Sequence, residues 1–162
     1  MNFSTLSRLQ FEKYKSFDSP NYSFVDVWLP KLCAIHKDLF DNYSTKEDTD
    51  FNCEVCLHYY INDCSNNWEV CVSLVGPYAM ITKKIAKNQW HLLSKNDEIT
   101  HEDAQLISLL EKHGYWVLPE SLLKTIIPEF VILDDEDGIP KTGAYLYQIL
   151  FFYSNLNLLS EK

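Results

Sequence analysis

A run of alternating side chains from Phe51 to Ser94 constrains this chain more than any other feature. Successive residues of a strand point to opposite faces, so a period of two marks a sheet with one side toward a core. Phe51, Cys53, Val55, Leu57, Tyr59 and Ile61 fall on one face, and Asn52, Glu54, Cys56, His58 and Tyr60 on the other. Trp68, Val70, Val72 and Leu74 repeat the pattern against Glu69, Cys71 and Ser73. The polar cluster Asn62 to Asn67 between the two runs reads as a turn. Pairing Ile61 with Trp68 sets Tyr59 opposite Val70 and Leu57 opposite Val72, a register that a slip of one residue would destroy. Gly76-Pro77 offers a second turn, which brings Ala79, Ile81 and Ile85 to the same side. Asn88-Gln89 offers a third, returning Trp90 and Leu92 to it. The expectation is a four-strand antiparallel meander over 51–94 with one apolar face. That face needs a cover, so helices from both ends must pack on it, giving an α+β fold in a single domain, 1–162.

Helical spacing supplies those covers. Phe3 to Lys15 reads as a first helix and Phe24 to Tyr43 as a second, the latter with Phe24, Trp28, Leu32, Ile35 and Leu39 in a stripe. Pro30 implies either a kink or a start there. Ser44 to Asp50 is polar and acidic and reads as a loop. Past the meander, Thr100 is placed to cap a helix whose first turn carries Glu102 and Asp103. Leu106, Ile107 and Leu110 form its buried stripe, and Gly114 closes it. Tyr115 to Leu118 is extended, Pro119 opens a short helix containing Leu122, Leu123, Ile126 and Ile127, and Pro128 ends it. Phe130 to Leu133 reads as a further strand. Thr142 is placed to cap a last helix, Ala144 to Tyr153, apolar nearly all round and so expected to be buried or to form an interface.

Chemistry is scarce by comparison. Cys53 and Cys56 have the spacing of half a zinc site, but residues three apart on a strand face opposite ways and cannot chelate one ion. The Ile61–Trp68 register brings His58 opposite Cys71, with Cys56 diagonal to it. Cys56, His58 and Cys71 are thus the residues from which a thiol enzyme or regulator would be built, although a semi-polar sheet face with small residues is the simpler explanation of them. The acidic run Asp134, Asp135, Glu136 and Asp137 fails as a calcium loop, because Gly138 in the sixth place puts Leu133 in the first. It reads as a solvated turn or as a dock for a basic partner. Neither a phosphate-cradling glycine motif nor a G-x-S-x-G elbow is present.

Charge narrows the partner. The formal net charge is −9, which disfavours direct nucleic-acid binding, since neutralising phosphates takes clustered Lys and Arg. The chain opens Met1-Asn2-Phe3-Ser4 without the basic and apolar regions of a secretory signal. No apolar stretch approaches the ~18 residues of a membrane span. With five cysteines, an odd number, the expectation is a cytoplasmic protein with reduced thiols.

The Thr100-capped helix ending at Gly114-Tyr115, then Leu118-Pro119, a short helix with Leu122 and the aromatic segment Tyr145 to Tyr153, resembles small immunity proteins of bacterial polymorphic-toxin and contact-dependent inhibition systems. The resemblance covers about the C-terminal third, and no binding residues carry over from it. It implies a cytoplasmic, non-enzymatic, acidic α+β protein that binds one toxin domain and blocks it. The expected partner is a basic, nuclease-like domain met by Asp134, Asp135, Glu136 and Asp137, with no metal and no cofactor. The competing reading is the Cys56/His58/Cys71 enzyme or regulator. Oligomeric state is open, a homodimer through the aromatic C-terminal helix being one arrangement.

Overall fold

The computed structural model describes residues 23–50, 55–63, 66–87, 89–95, 99–133 and 140–151. Its elements are α1 (Ser23–Asn42), β1 (Ser44–Glu47), β2 (Cys56–Asp63), β3 (Asn66–Ser73), β4 (Tyr78–Ala86), β5 (Gln89–Leu92), α2 (His101–Lys112), β6 (Trp116–Val117), α3 (Glu120–Leu123), β7 (Ile126–Leu133), β8 (Pro140–Tyr145) and α4 (Leu146–Phe151). Helices packed on a mainly antiparallel sheet make this an α+β fold, as the alternation requires. The expected helix Phe3 to Lys15 and the residues 51–54 of the first strand lie outside the described residues.

The central register is the one the opposed apolar sets demand. Ile61 pairs with Trp68, Tyr59 with Val70 and Leu57 with Val72, and β3 continues into β4 with Val70 opposite Ile81 and Val72 opposite Ala79. The meander holds one strand more than its alternation shows. Ser44 to Glu47, read as loop, is an edge strand antiparallel to β2, with Thr45 opposite Ile61 and Glu47 opposite Tyr59. A short, polar, lysine-bearing edge is how sheets avoid pairing with other chains, and that polarity hides the strand from a search for alternation. On the far side, β5 and β6 share the outer edge of β4. β5 pairs antiparallel with the C-terminal half and β6 parallel at Tyr78 and Ala79.

The third turn is not a regular hairpin. Ala86 pairs with Gln89, but Lys84 pairs with Trp90, so Ile85 is an extra residue in a β-bulge. One inserted residue reverses the faces of the residues beyond it. Leu92 therefore joins the side opposite Ile81, Leu93 takes the place beside Ile81 through a 2.9 Å hydrogen bond from its N–H to the Ile81 carbonyl, and Ile85 is 61% exposed. The expected placement of Ile85, Trp90 and Leu92 on one apolar face fails for this reason.

Both faces of the sheet are buried, not one. On the first, α1 contributes Leu32, Ile35 and Leu39 and α2 contributes Leu106, Ile107 and Leu110 against Tyr59, Ile61, Trp68, Val70 and Ile81. α1 runs through Pro30 rather than starting at it. α2 begins at Thr100 with a reciprocal capping box to Asp103 and ends before Gly114, whose φ of +85° is a conformation suited to glycine. On the second face Val55, Cys56, Cys71, Tyr78 and Met80 pack under Leu118, Leu123 and all of α4 except Gln148. Main-chain carbonyls seat that helix: the Val55 N–H donates to the Phe151 carbonyl at 3.0 Å and the Ser73 hydroxyl to the Leu150 carbonyl at 2.8 Å.

The C-terminal third departs most from its helical reading. α3 lasts only from Glu120 to Leu123, and Ile126 to Leu133 is a strand. β7 pairs antiparallel with β8 in a separate two-stranded ribbon. Pro128, expected to end a helix, sits where the ladder is interrupted between Ile127 and Val131, a place where its missing N–H costs nothing. Thr142 belongs to β8 rather than to a helix cap. α4 starts after Tyr145, whose N–H is accepted by the Gln148 side chain at 2.9 Å. Gly143 has φ +91°, and a Cβ there would stand 2.9 Å from the Ile126 Cγ2. α4 is buried from Leu146 to Phe151 within its own chain, and Phe152 and Tyr153 of the expected helix lie outside the described residues.

Candidate functional site

The sheet register brings Cys56, His58 and Cys71 together as the pairing predicts, with His58 directly opposite Cys71. It also closes them off. Cys56 and Cys71 are within 1% of complete burial and His58 is 6% exposed, beneath the layer that α4 completes. His58 is fixed by its own main chain, whose N–H donates to Thr49 Oγ1 at 3.0 Å and whose carbonyl accepts from the Asp48 N–H at 2.9 Å. Its ring lies 4.8 Å from that of Tyr60. A thiol nucleophile needs access and a positively charged neighbour to hold it as thiolate, and among the described residues Cys56 and Cys71 are buried. The second helical layer thus weighs against an enzyme built on this face. Cys53 and Glu54 lie outside the described residues. Among the described residues no group of three His, Cys, Asp or Glu is arranged to hold a metal ion.

Asp134, Asp135, Glu136 and Asp137 also lie outside the described residues. The frame that carries them is described: Leu133 pairs with Pro140, so the acidic run joins two hydrogen-bonded strands. At the base of this ribbon Ile126 is 58% exposed and Tyr145 is exposed with its ring stacked on Tyr147, centroids 5.7 Å apart.

Two polar clusters escape the sequence patterns. At the edge strand, Tyr59 Oη lies 3.4 Å from His36 Nδ1, and Glu47 Oε2 lies 3.5 Å from the same nitrogen. His36 stacks on Phe40 with centroids 4.5 Å apart. Burial, and then the Glu47 carboxylate, push the Tyr59 phenol far above its ordinary range, so it remains a neutral hydrogen-bonding group. The signal was available in principle, since Glu47 faces Tyr59 once β1 is recognised. The second cluster ties the two covering helices. Asp38 of α1 accepts from Lys112 at 2.7 Å and from His113 Nε2 at 2.8 Å at the end of α2. Those bonds, Lys112 foremost, hold the Asp38 carboxyl below its usual value.

The best-satisfied buried charge is Asp103. Its Oδ1 accepts from the Trp68 indole at 2.8 Å, and its Oδ2 from Lys83 at 2.9 Å and from the Thr100 N–H at 3.0 Å. Burial alone would raise its carboxyl, but the donors from Lys83, Trp68 and Thr100 outweigh it and the net shift is downward. With each oxygen engaged, this group joins α2 to β3 and β4 and offers no position for a ligand.

No protein-family model matches this chain, and no curated protein or solved structure is detectably similar to it.

Proposed function

We propose that the chain is a non-enzymatic binding protein, an immunity protein that docks on a toxin domain of a bacterial polymorphic-toxin or contact-dependent inhibition system and blocks it in the cytoplasm. The observation that carries this reading is the β7–β8 ribbon. It is hydrogen-bonded only within itself as a sheet among the described residues, and it frames four consecutive carboxylates. It leaves Ile126 and Tyr145 open to solvent. Carboxylates that join the ribbon's strands suit a basic partner surface, and the exposed apolar pair at the ribbon's other end adds area for such a partner to cover. The net charge of −9 adds long-range attraction for such a partner. Burial of the Cys56, His58 and Cys71 face weighs against the thiol-enzyme alternative. No helix among the described residues is long and apolar enough to cross a membrane.

The test is capture of the product of the large gene adjoining the coding sequence, followed by association rates across a salt series. Replacing Asp134, Asp135 and Asp137 by Asn is expected to slow association about tenfold or more at low salt, with little change in folding, because such charges steer encounter. Screening by salt should slow the parent protein in the same sense. A cognate complex whose association ignores both salt and the triple substitution ends the electrostatic reading. Absence of any complex with that product ends the immunity reading.

A further inference from the structure

The lysines of this acidic chain are not distributed at random among partners. Lys37 pairs with Asp41, Lys46 with Asp48, Lys83 with Asp103, Lys95 with Glu111, Lys112 with Asp38 and Lys124 with Glu120. Lys31 lies over the Trp28 ring, 3.7 Å from its centroid. Lys84 and Lys87 have no carboxylate partner among the described residues, although Asp and Glu outnumber Lys and Arg by 23 to 14 in the chain. Both stand on the β4–β5 hairpin, where no acidic residue occurs from Lys83 to Leu92.

The same hairpin contains the bulge. Alternation from Ala79 and Ile81 alone would assign Ile85 to their side of β4. Ile85, the extra residue of the bulge, is 61% exposed, next in sequence to Lys84 and two residues before Lys87. Bulges recur where a side chain is re-aimed for use. Trp90 pairs with Lys84 across the ladder, and the Lys84 ammonium lies 5.8 Å from the Trp90 ring centroid. The result is an exposed isoleucine with a lysine one residue before it and another two residues after it, neither paired with a carboxylate among the described residues.

We infer that the β4–β5 hairpin is a second docking surface, and that its occupant is an acidic segment of another protein. The partner presents carboxylates to Lys84 and Lys87 and an apolar recess to Ile85. Charge complementarity selects this class: elsewhere among the described residues the chain mostly matches its ammonium groups with its own carboxylates, and here it leaves them for an outside one. A single-stranded nucleic acid would find two lysines and one indole, far fewer contacts than a binding groove supplies. A central isoleucine knob also suits a protein recess better than a stacking base. The hairpin belongs to a different sheet from the β7–β8 ribbon and takes a partner of the opposite charge.

The experiment uses the full chain, isotopically labelled for amide NMR. Three synthetic probes are titrated in: a peptide of alternating Glu and Val, its Lys-Val counterpart and an oligothymidylate of similar length. The Glu-Val peptide is expected to move amide resonances of the 83–91 segment. Lys84→Glu with Lys87→Glu should weaken that binding at least tenfold, and Ile85→Ser should weaken it several-fold while leaving the circular dichroism unchanged. Raising salt should weaken binding by the parent and should not weaken the residual binding of the double variant, whose glutamates repel the peptide. Shifts confined to other parts of the protein, or affinity indifferent to the double substitution, would overturn the inference. Tighter binding of the oligothymidylate at the hairpin would overturn it in favour of a nucleic-acid surface.

Discussion

Asp103 shows how one side chain can hold several elements in place. It is at once the third helical residue of a capping box, the acceptor for an indole and the counter-ion of a nearly buried lysine. Removing one partner of such a pair leaves the other charge uncompensated, which typically costs about 3–5 kcal/mol. Asp103→Ala is therefore expected to lower the stability measured in a urea melt by roughly that amount. The pH dependence follows from the direction of its shift. A carboxyl held lower in the folded than in the unfolded chain contributes stability in full above its unfolded value, about 3.9, and loses it as pH falls through the folded one. The melt midpoint should drop between about pH 5 and pH 2 more steeply in the parent than in Asp103→Asn. Equal slopes would show that the carboxylate is not what the acid titrates. Of this hub the sequence discloses only half: the spacing Thr100-x-x-Asp103 marks the cap, while the contacts with Trp68 and Lys83 depend on how α2 lies across the sheet.

At the scale of elements, alternation was legible wherever the ladder is regular. The pairings Ile61–Trp68, Tyr59–Val70 and Leu57–Val72 and the helix from Thr100 to Gly114 all follow from local pattern and cap chemistry. Three things were not legible. The bulge at Ile85 leaves no mark in composition, because the run through Ala79, Ile81 and Ile85 looks uninterrupted. The edge strand β1 is polar because it is an edge. Ile126, Ile127 and Pro128 read as the end of a helix and Thr142 as a helix cap, whereas tertiary pairing places them in the ribbon, of which only Phe130 to Leu133 was legible as strand. The bulge yields a direct comparison of two isoleucines on one strand. Ile81→Asp is expected to cost more than about 4 kcal/mol, because it buries an unpaired charge, while Ile85→Asp should stay within about 0.5 kcal/mol. If denaturant melts show both equally harmful, β4 is regular through Ile85 and the bulge is wrongly placed.

For the molecule as a whole, the decisive feature is that the sheet is covered twice. Alternation alone suggests one greasy face and one semi-polar face, and the semi-polar one has a reactive character because it carries Cys56, His58 and Cys71. The layer that decides otherwise comes from Leu118 to Phe151, far along the chain, so no window around the cysteines could reveal it. Thiol labelling resolved by peptide mass spectrometry checks this. Cys33 is exposed and should react at once. Cys56 and Cys71 should react at least about a thousandfold more slowly, since access requires an opening worth several kcal/mol. Labelling at comparable rates would return the thiol face to candidacy.

Synthesis order gives that outer layer a further consequence. Val55 and the strands bearing Cys71 and Met80 leave the ribosome well before Phe151 and Leu150, the residues whose carbonyls receive the Val55 and Ser73 donors. At a translation rate of ~5–20 residues per second, the segment from Leu93 to Phe151 takes roughly 3–12 s to make. Through that interval α1 can cover its own side of the nascent strands, while the other side remains bare and prone to stick to its neighbours. A cell making this protein in quantity should lean on chaperones that recognise exposed apolar strands. Truncations that end before α4 should accumulate in inclusion bodies rather than as shortened soluble chains.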